Sequence, residues 1–253
     1  MTDESDGRVH GASPEQRDAR EHAHSRDRLD PLEHHIVIPR TARYYTLGRA
    51  DAAVEQLWLV CHGYSQLASR FITYFNTLVD ARRCIVAPEA LSRFYLDASS
   101  SGTHATARVG ASWMTREDRL HEIDDQAHYL DAVIAEVRAQ LAHDPSECVV
   151  LGFSQGAATA ARWAVRTSMR VDRLVLWGGL LPPDLDLAIH GPRLARMQLT
   201  LVAGSRDEYI APAMLDAETA RIERAGVPCA RMMFDGGHRL DRTVLRALAE
   251  DAT

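Results

Sequence analysis

Cys148-Val149-Val150-Leu151-Gly152-Phe153-Ser154-Gln155-Gly156, followed by Ala157-Ala158-Thr159-Ala160-Ala161, is the stretch on which the fold turns. Its opening apolar run suits a short strand buried on both faces of a parallel sheet. The alanines beyond it suit a helix with a small face, able to pack close beneath the turn. A strand that becomes a helix so abruptly strains its central residue, and glycines two positions either side remove Cβ atoms that would clash there. Ser154 is then left exposed at the edge of the sheet, beside the free N–H groups of a new helix. The spacing makes Ser154 a candidate nucleophile; the blander reading is an ordinary glycine-bounded turn.

Outward from this pentapeptide the chain alternates strands and helices. Upstream, Ile36-Val37-Ile38 and Tyr44-Tyr45-Thr46-Leu47 read as an antiparallel opening hairpin. Leu57–Cys61 reads as a buried strand ending at His62-Gly63. A helix follows with Phe71, Phe75, Leu78 and Val79 on one face, and Cys84–Ala87 is the next strand. A further helix carries Leu130, Val133, Ile134, Val137 and Leu141. Downstream come strands at 174–177, 199–203 and 230–234, a proline-broken stretch at 182–196, and helices at about 212–225 and 240–250. Such alternation predicts an α/β fold: a mostly parallel central sheet, helices on both faces, and no large separate cap domain.

Composition bounds the function. The 253 residues are 46% hydrophobic and 25% charged with a formal net charge of −6, so no basic stripe points to nucleic acid. No apolar run approaches the roughly 18 residues that span a bilayer, and the polar, acidic start is not a secretory signal. Every basic residue is arginine, which excludes lysine-dependent chemistry. Cys61, Cys84, Cys148 and Cys229 lie in or beside apolar runs, as small buried hydrophobes rather than a disulfide framework. A reduced, cytoplasmic location is the expectation, with a monomer and a homodimer both open.

Residues 1–33 are charged, histidine-containing and nearly free of large apolar side chains. They read as a disordered or loosely packed tail ahead of a single domain at 34–253. His22, His24, His34 and His35 lack the cysteines or clustered carboxylates that would complete a metal site.

A serine hydroxyl needs a base to take its proton and an acid to orient that base. In an open α/β sheet both must sit on loops leaving the C-terminal strand ends. Asp207 follows the strand at 199–203 through Gly204-Ser205-Arg206, and His238 follows the strand at 230–234 through Asp235-Gly236-Gly237. The chain order Ser, Asp, His is the one that accompanies an elbow of this type. Asp184, Asp186 and Asp235 are weaker candidates for the acid. An oxyanion needs two preorganised N–H donors. Gln155, after the serine, would supply one, and Tyr64, in the turn His62-Gly63-Tyr64, the other. His62, directly after a buried strand, reads as a loop pin rather than the base.

Cys61-His62-Gly63-Tyr64, Ala87-Pro88, Gly152–Gly156, Gly204–Pro212 and Gly236-Gly237-His238 together resemble the phospholipase/carboxylesterase family, a compact branch of the α/β-hydrolases, over roughly residues 36–250. The resemblance implies the triad Ser154, Asp207 and His238, the oxyanion pair Tyr64 and Gln155, and no metal or organic cofactor. It implies a carboxylesterase acting on small-molecule esters or thioesters of short to medium acyl chain. An acyl-protein thioesterase or lysophospholipase is the alternative, and a catalytically silent receptor or scaffold the alternative of another class. The chain departs from the pattern at Ser65 and Gln66, where the family has glycine and aspartate, and at Leu91, where it has proline. The irregular segment 91–123 is also longer than expected. It is read as a flap over the serine, with Trp113, Met114 and Tyr95 lining the acyl pocket.

Overall fold

The structure, a computed structural model, describes residues 31–48, 54–97 and 107–250. The chain divides into the units Met1–Arg40 and Thr41–Thr253. Most of the expected tail, with His22 and His24, lies outside the described residues. Residues 31–40 have no regular secondary structure, and Ile36, Val37 and Ile38 are exposed. The expected opening hairpin is therefore not formed. Pro39 follows the three apolar residues at once and removes a backbone donor. The strand β1 (Tyr44–Leu47) pairs instead, antiparallel, with β3 (Arg83–Pro88).

Five further strands complete the main sheet: β2 (Gln56–Cys61), β6 (Glu147–Phe153), β7 (Arg173–Trp177), β8 (Gln198–Gly204) and β9 (Cys229–Phe234). The order is β1-β3-β2-β6-β7-β8-β9, and every pairing but the first is parallel. Alternation along β2 explains the two-sided core. Leu57, Leu59 and Cys61 face α2 (Arg119–Arg138) and α3 (Gln155–Arg166), while Trp58 and Val60 face the opposite layer. That layer is built by α1 (Ala68–Phe71), the 3₁₀ turn Ile72–Leu78 that continues it, and α6 (Arg242–Glu250). Val79, expected on the buried face of this segment, lies beyond its end and is exposed.

The stretch at 182–196 holds a helix, α4 (Leu187–Leu194), despite Pro192. Asp186 caps it by accepting from the Ala188 N–H at 2.8 Å. The helix α5 (Pro212–Arg224) begins with proline at its first turn, where a missing N–H costs nothing. Part of the segment 91–123 is regular as well: β4 (Ser92–Tyr95) and β5 (Val109–Ser112) form an antiparallel pair, and α2 starts at Arg119. Ser99-Ser100-Ser101-Gly102, within this segment, lies outside the described residues.

Candidate active site

The strain expected of the pentapeptide is visible in the backbone. Ser154 has φ 54° and ψ −119°, a conformation that costs a non-glycine residue about 1–3 kcal/mol. A Cβ on Gly152 would stand 2.2 Å from the Gly156 carbonyl oxygen, and one on Gly156 2.3 Å from that of Cys61. The Ser154 N–H is tied to the Trp177 carbonyl at 2.8 Å, which anchors the elbow to β7. Its hydroxyl has no hydrogen-bond partner among the described residues, and it stands where β6 gives way to α3.

Asp207 and His238 meet above β8 and β9. Gly204 lets their two loops close together, since a Cβ there would lie 2.3 Å from the Gly236 carbonyl oxygen. Ser205 and Arg206 N–H groups then bond the Phe234 and Gly236 carbonyls, each at 2.8 Å. Asp207 is nearly buried. Its Oδ1 accepts from the N–H groups of Tyr209 and Ile210 at 2.9 and 3.0 Å, and its Oδ2 accepts from His238 Nδ1 at 2.8 Å. That contact assigns the proton to Nδ1 and leaves the lone pair on Nε2. The imidazole is held edgewise by Tyr209, with ring centroids 4.6 Å apart, and against Phe153 at 4.9 Å. Gly178, directly after the Trp177 that anchors Ser154, leaves room for the ring: its Cβ would lie 2.9 Å from His238 Cε1. Asp207 and His238 thus meet at the C-terminal edge of the sheet, where Phe153, the residue before Ser154, packs on the His238 ring; among the described residues no hydrogen bond joins the Ser154 and His238 side chains.

The other aspartates are engaged elsewhere. Asp184 takes paired hydrogen bonds from Arg162 at 2.7 and 2.9 Å, which hold its carboxyl down to about 2, and a further one from Arg119. Asp186 caps α4, and Asp235 pairs with Arg206 at the surface. Burial pushes the Cys61 thiol up to about 12 and Cys148 to about 11, so neither offers a thiolate.

His62 is the pin that its position suggested. It is fully buried; Nδ1 donates to the Gly63 carbonyl at 2.8 Å, and Nε2 accepts from the Ala90 N–H at 3.1 Å. Burial lowers its proton affinity below the ordinary value. The Gly63 N–H is bound by Gln66 Oε1 at 2.8 Å, which shapes the turn around Tyr64. Ser65 stands at φ 64°, in the left-handed region that glycine prefers. The Tyr64 and Gln155 N–H groups make no hydrogen bond among the described residues.

Segment 109–114 braces both of those amides, a feature that sequence spacing did not reveal. Ser65 N–H bonds the Ala111 carbonyl at 2.9 Å, and Ala111 N–H bonds the Gln66 carbonyl at 3.2 Å, so β5 is strapped to the Tyr64 loop. The Gln155 side chain then accepts from Trp113 N–H at 3.0 Å and donates to the Met114 carbonyl at 2.8 Å. Trp113 is buried, its indole N–H on the His62 carbonyl at 2.7 Å and its ring 5.1 Å from the His62 ring. It fastens the loop rather than standing open to a ligand. Met114 is half-buried and its sulfur takes an Arg162 N–H at 3.4 Å, while Tyr95 is exposed on β4. The Tyr64 ring stacks on Phe94 at 5.2 Å.

Among known proteins, the model of the alpha/beta hydrolase fold matches residues 59–223. By sequence, no curated protein matches the chain. Solved structures resemble it in fold. Zea mays acyl-protein thioesterase 2 has a TM-score of 0.62 at 16% identity, covering 83% of this chain and 97% of that one. Esterase PE8 has a TM-score of 0.60 at 19% identity, with 83% and 97% covered. A phospholipase/carboxylesterase from Dyadobacter fermentans has 0.59 at 15%, with 85% and 98% covered. No helix among the described residues is long and apolar enough to cross a membrane.

Proposed function

This chain belongs to the α/β-hydrolase fold family, and from that premise we propose that it is a serine hydrolase of carboxylesterase type. Its substrates would be small-molecule carboxylic esters of short to medium acyl chain. The observation that best supports the reading is the Asp207–His238 contact at 2.8 Å, set beside a strained Ser154 whose hydroxyl is unengaged among the described residues.

In the proposed reaction, His238 Nε2 takes the Ser154 proton as Oγ attacks the ester carbonyl carbon. Asp207 keeps the imidazole in the required tautomer and stabilises the imidazolium that forms. The tetrahedral oxyanion accepts from the Tyr64 and Gln155 N–H groups, which need no reorganisation because segment 109–114 holds both loops. Collapse breaks the bond to the alcohol oxygen, and His238 returns the proton to that leaving group. Water, deprotonated by His238, then attacks the acyl-serine, and the acid leaves with Ser154 restored. The scheme calls on no metal or organic cofactor.

The test is turnover of nitrophenyl esters from C2 to C16, a thioester and a lysophospholipid by wild type and Ser154→Ala. Chains shorter than C12 should be preferred, and kcat should fall about 10⁴- to 10⁶-fold in the variant with the fold retained. Near-full activity in folded Ser154→Ala would remove the assignment. Best turnover on the thioester or the lysophospholipid would move it to those classes.

A further inference from the structure

A cleft of about 230 Å³ opens beside the loop that carries Tyr64. Phe71, Tyr74 and Leu96 give it apolar walls, Gln66 a polar one, and Arg70 and Arg108 also line it. Its closeness to the nucleophile can be read from Gly63. The point where a Gly63 Cβ would stand is 3.2 Å from Gln66 Oε1, on the cleft wall, and 3.2 Å from Ser154 Cβ. Phe71, on the same cleft, lies 6.3 Å from Phe153 between ring centroids, and Phe153 contacts His238. The cleft therefore adjoins the Ser154 turn through Gln66 and the His238 ring through Phe71 and Phe153.

The lining of the cleft is one-sided in charge. Among the described residues no carboxylate lines it. Arg108 is matched by Asp97, which accepts from its guanidinium at 2.9 Å just outside the lining. Arg70 is exposed and forms no ion pair among the described residues. An exposed guanidinium beside a small, apolar-walled cleft adds positive potential there, on a molecule whose net charge is −6. A guanidinium also offers two parallel N–H donors to a carboxylate or phosphate. The volume is that of about eight water molecules, enough for a short chain and its terminal anion but not for a long acyl tail.

We propose that this cleft sets substrate class: an ester carrying a carboxylate or phosphate a few bonds from the scissile carbonyl, with Arg70 as counter-ion. The inference rests on the serine-hydrolase reading above and narrows it.

Two matched pairs test it, by kcat/KM at low ionic strength. Nitrophenyl hydrogen adipate against nitrophenyl hexanoate puts the anion on the acyl side. 2-Acetoxyethyl phosphate against 2-methoxyethyl acetate puts it on the alcohol side. At least one anionic ester should be preferred by about tenfold or more, the preference shrinking with added salt. Arg70→Gln should lower that anionic-to-neutral ratio about tenfold, Arg70→Glu should lower it further, and Arg70→Lys should keep part of it. The pair that responds identifies the side. Neutral esters turned over with no anionic preference, or a preference untouched in Arg70→Gln, would overturn the cleft assignment alone. No turnover of any ester, with Ser154 inert to a fluorophosphonate, would overturn the hydrolase reading and this inference with it.

Discussion

The loop after β2 and the loop after β9 each carry a histidine beyond a strand end, and the chain uses the two in opposite ways. His62 has both ring nitrogens on backbone groups, Gly63 on one side and Ala90 on the other, and no access to solvent. His238 has one nitrogen on Asp207 and the other without a partner among the described residues, with a side chain that is still partly exposed. The imidazole is the same; its wiring differs. A histidine with two backbone partners is a strut, while one oriented by a carboxylate with its far nitrogen available can move a proton. Substitutions should therefore separate activity from stability between the two loops.

The largest effect is expected at His238. His238→Gln should lower kcat about 10³- to 10⁵-fold while leaving thermal stability almost unchanged, as steady-state kinetics and a melting curve on one preparation would reveal. An equal loss of stability there would erase the contrast. His62→Ala should do the converse. Losing the acceptor for the buried Ala90 N–H should cost about 1–3 kcal/mol in denaturant unfolding.

The pH dependence of stability sharpens the same comparison. Burial lowers the proton affinity of folded His62, whereas in the unfolded chain it titrates near 6.5. Below that pH the unfolded state binds a proton that the folded state refuses, so stability falls on acidification through 6.5. His62→Gln, compared with wild type between pH 8 and 5, should flatten that slope. An unchanged slope would mean that His62 is not held neutral.

Gln155→Ala tests the brace that joins the two loops' surroundings. Its amide ties α3 to Trp113 and Met114, so its loss should lower kcat about tenfold with little change in KM, as expected when oxyanion donors are less well held. A change in KM alone would assign the side chain to ground-state binding. The smallest expected effect is at Ser65, whose φ of 64° suits glycine. Ser65→Gly should raise unfolding free energy by about 0.5–1 kcal/mol, the relieved strain being partly offset by the entropy of the freer unfolded chain.

The elbow was legible in the sequence because its rule is local: the strain at Ser154 and the glycines that permit it lie within five residues. Asp207 and His238 were legible because each closely follows the C-terminal end of an apolar strand, and topology does the rest. The brace was not. The Gln155 amide meets partners about forty residues earlier, and nothing in the alternation of apolar residues marks such a contact. Trp113 illustrates the same limit. Its aromatic character suggested a pocket wall, yet its indole N–H found the His62 carbonyl and drew it inside. Ile36-Val37-Ile38 shows the reverse error, an apolar run with β propensity that forms no strand, with the donor-less Pro39 directly after it.

If Ser154 is a nucleophile activated by His238, covalent labelling reads it directly. Folded wild-type protein treated with a fluorophosphonate and mapped by peptide mass spectrometry should carry one adduct, on the peptide containing Ser154. The adduct should be absent in Ser154→Ala and should form far more slowly in His238→Gln. No adduct on folded protein, or one on another residue at the same rate in all three, would mean that Ser154 is not an activated nucleophile.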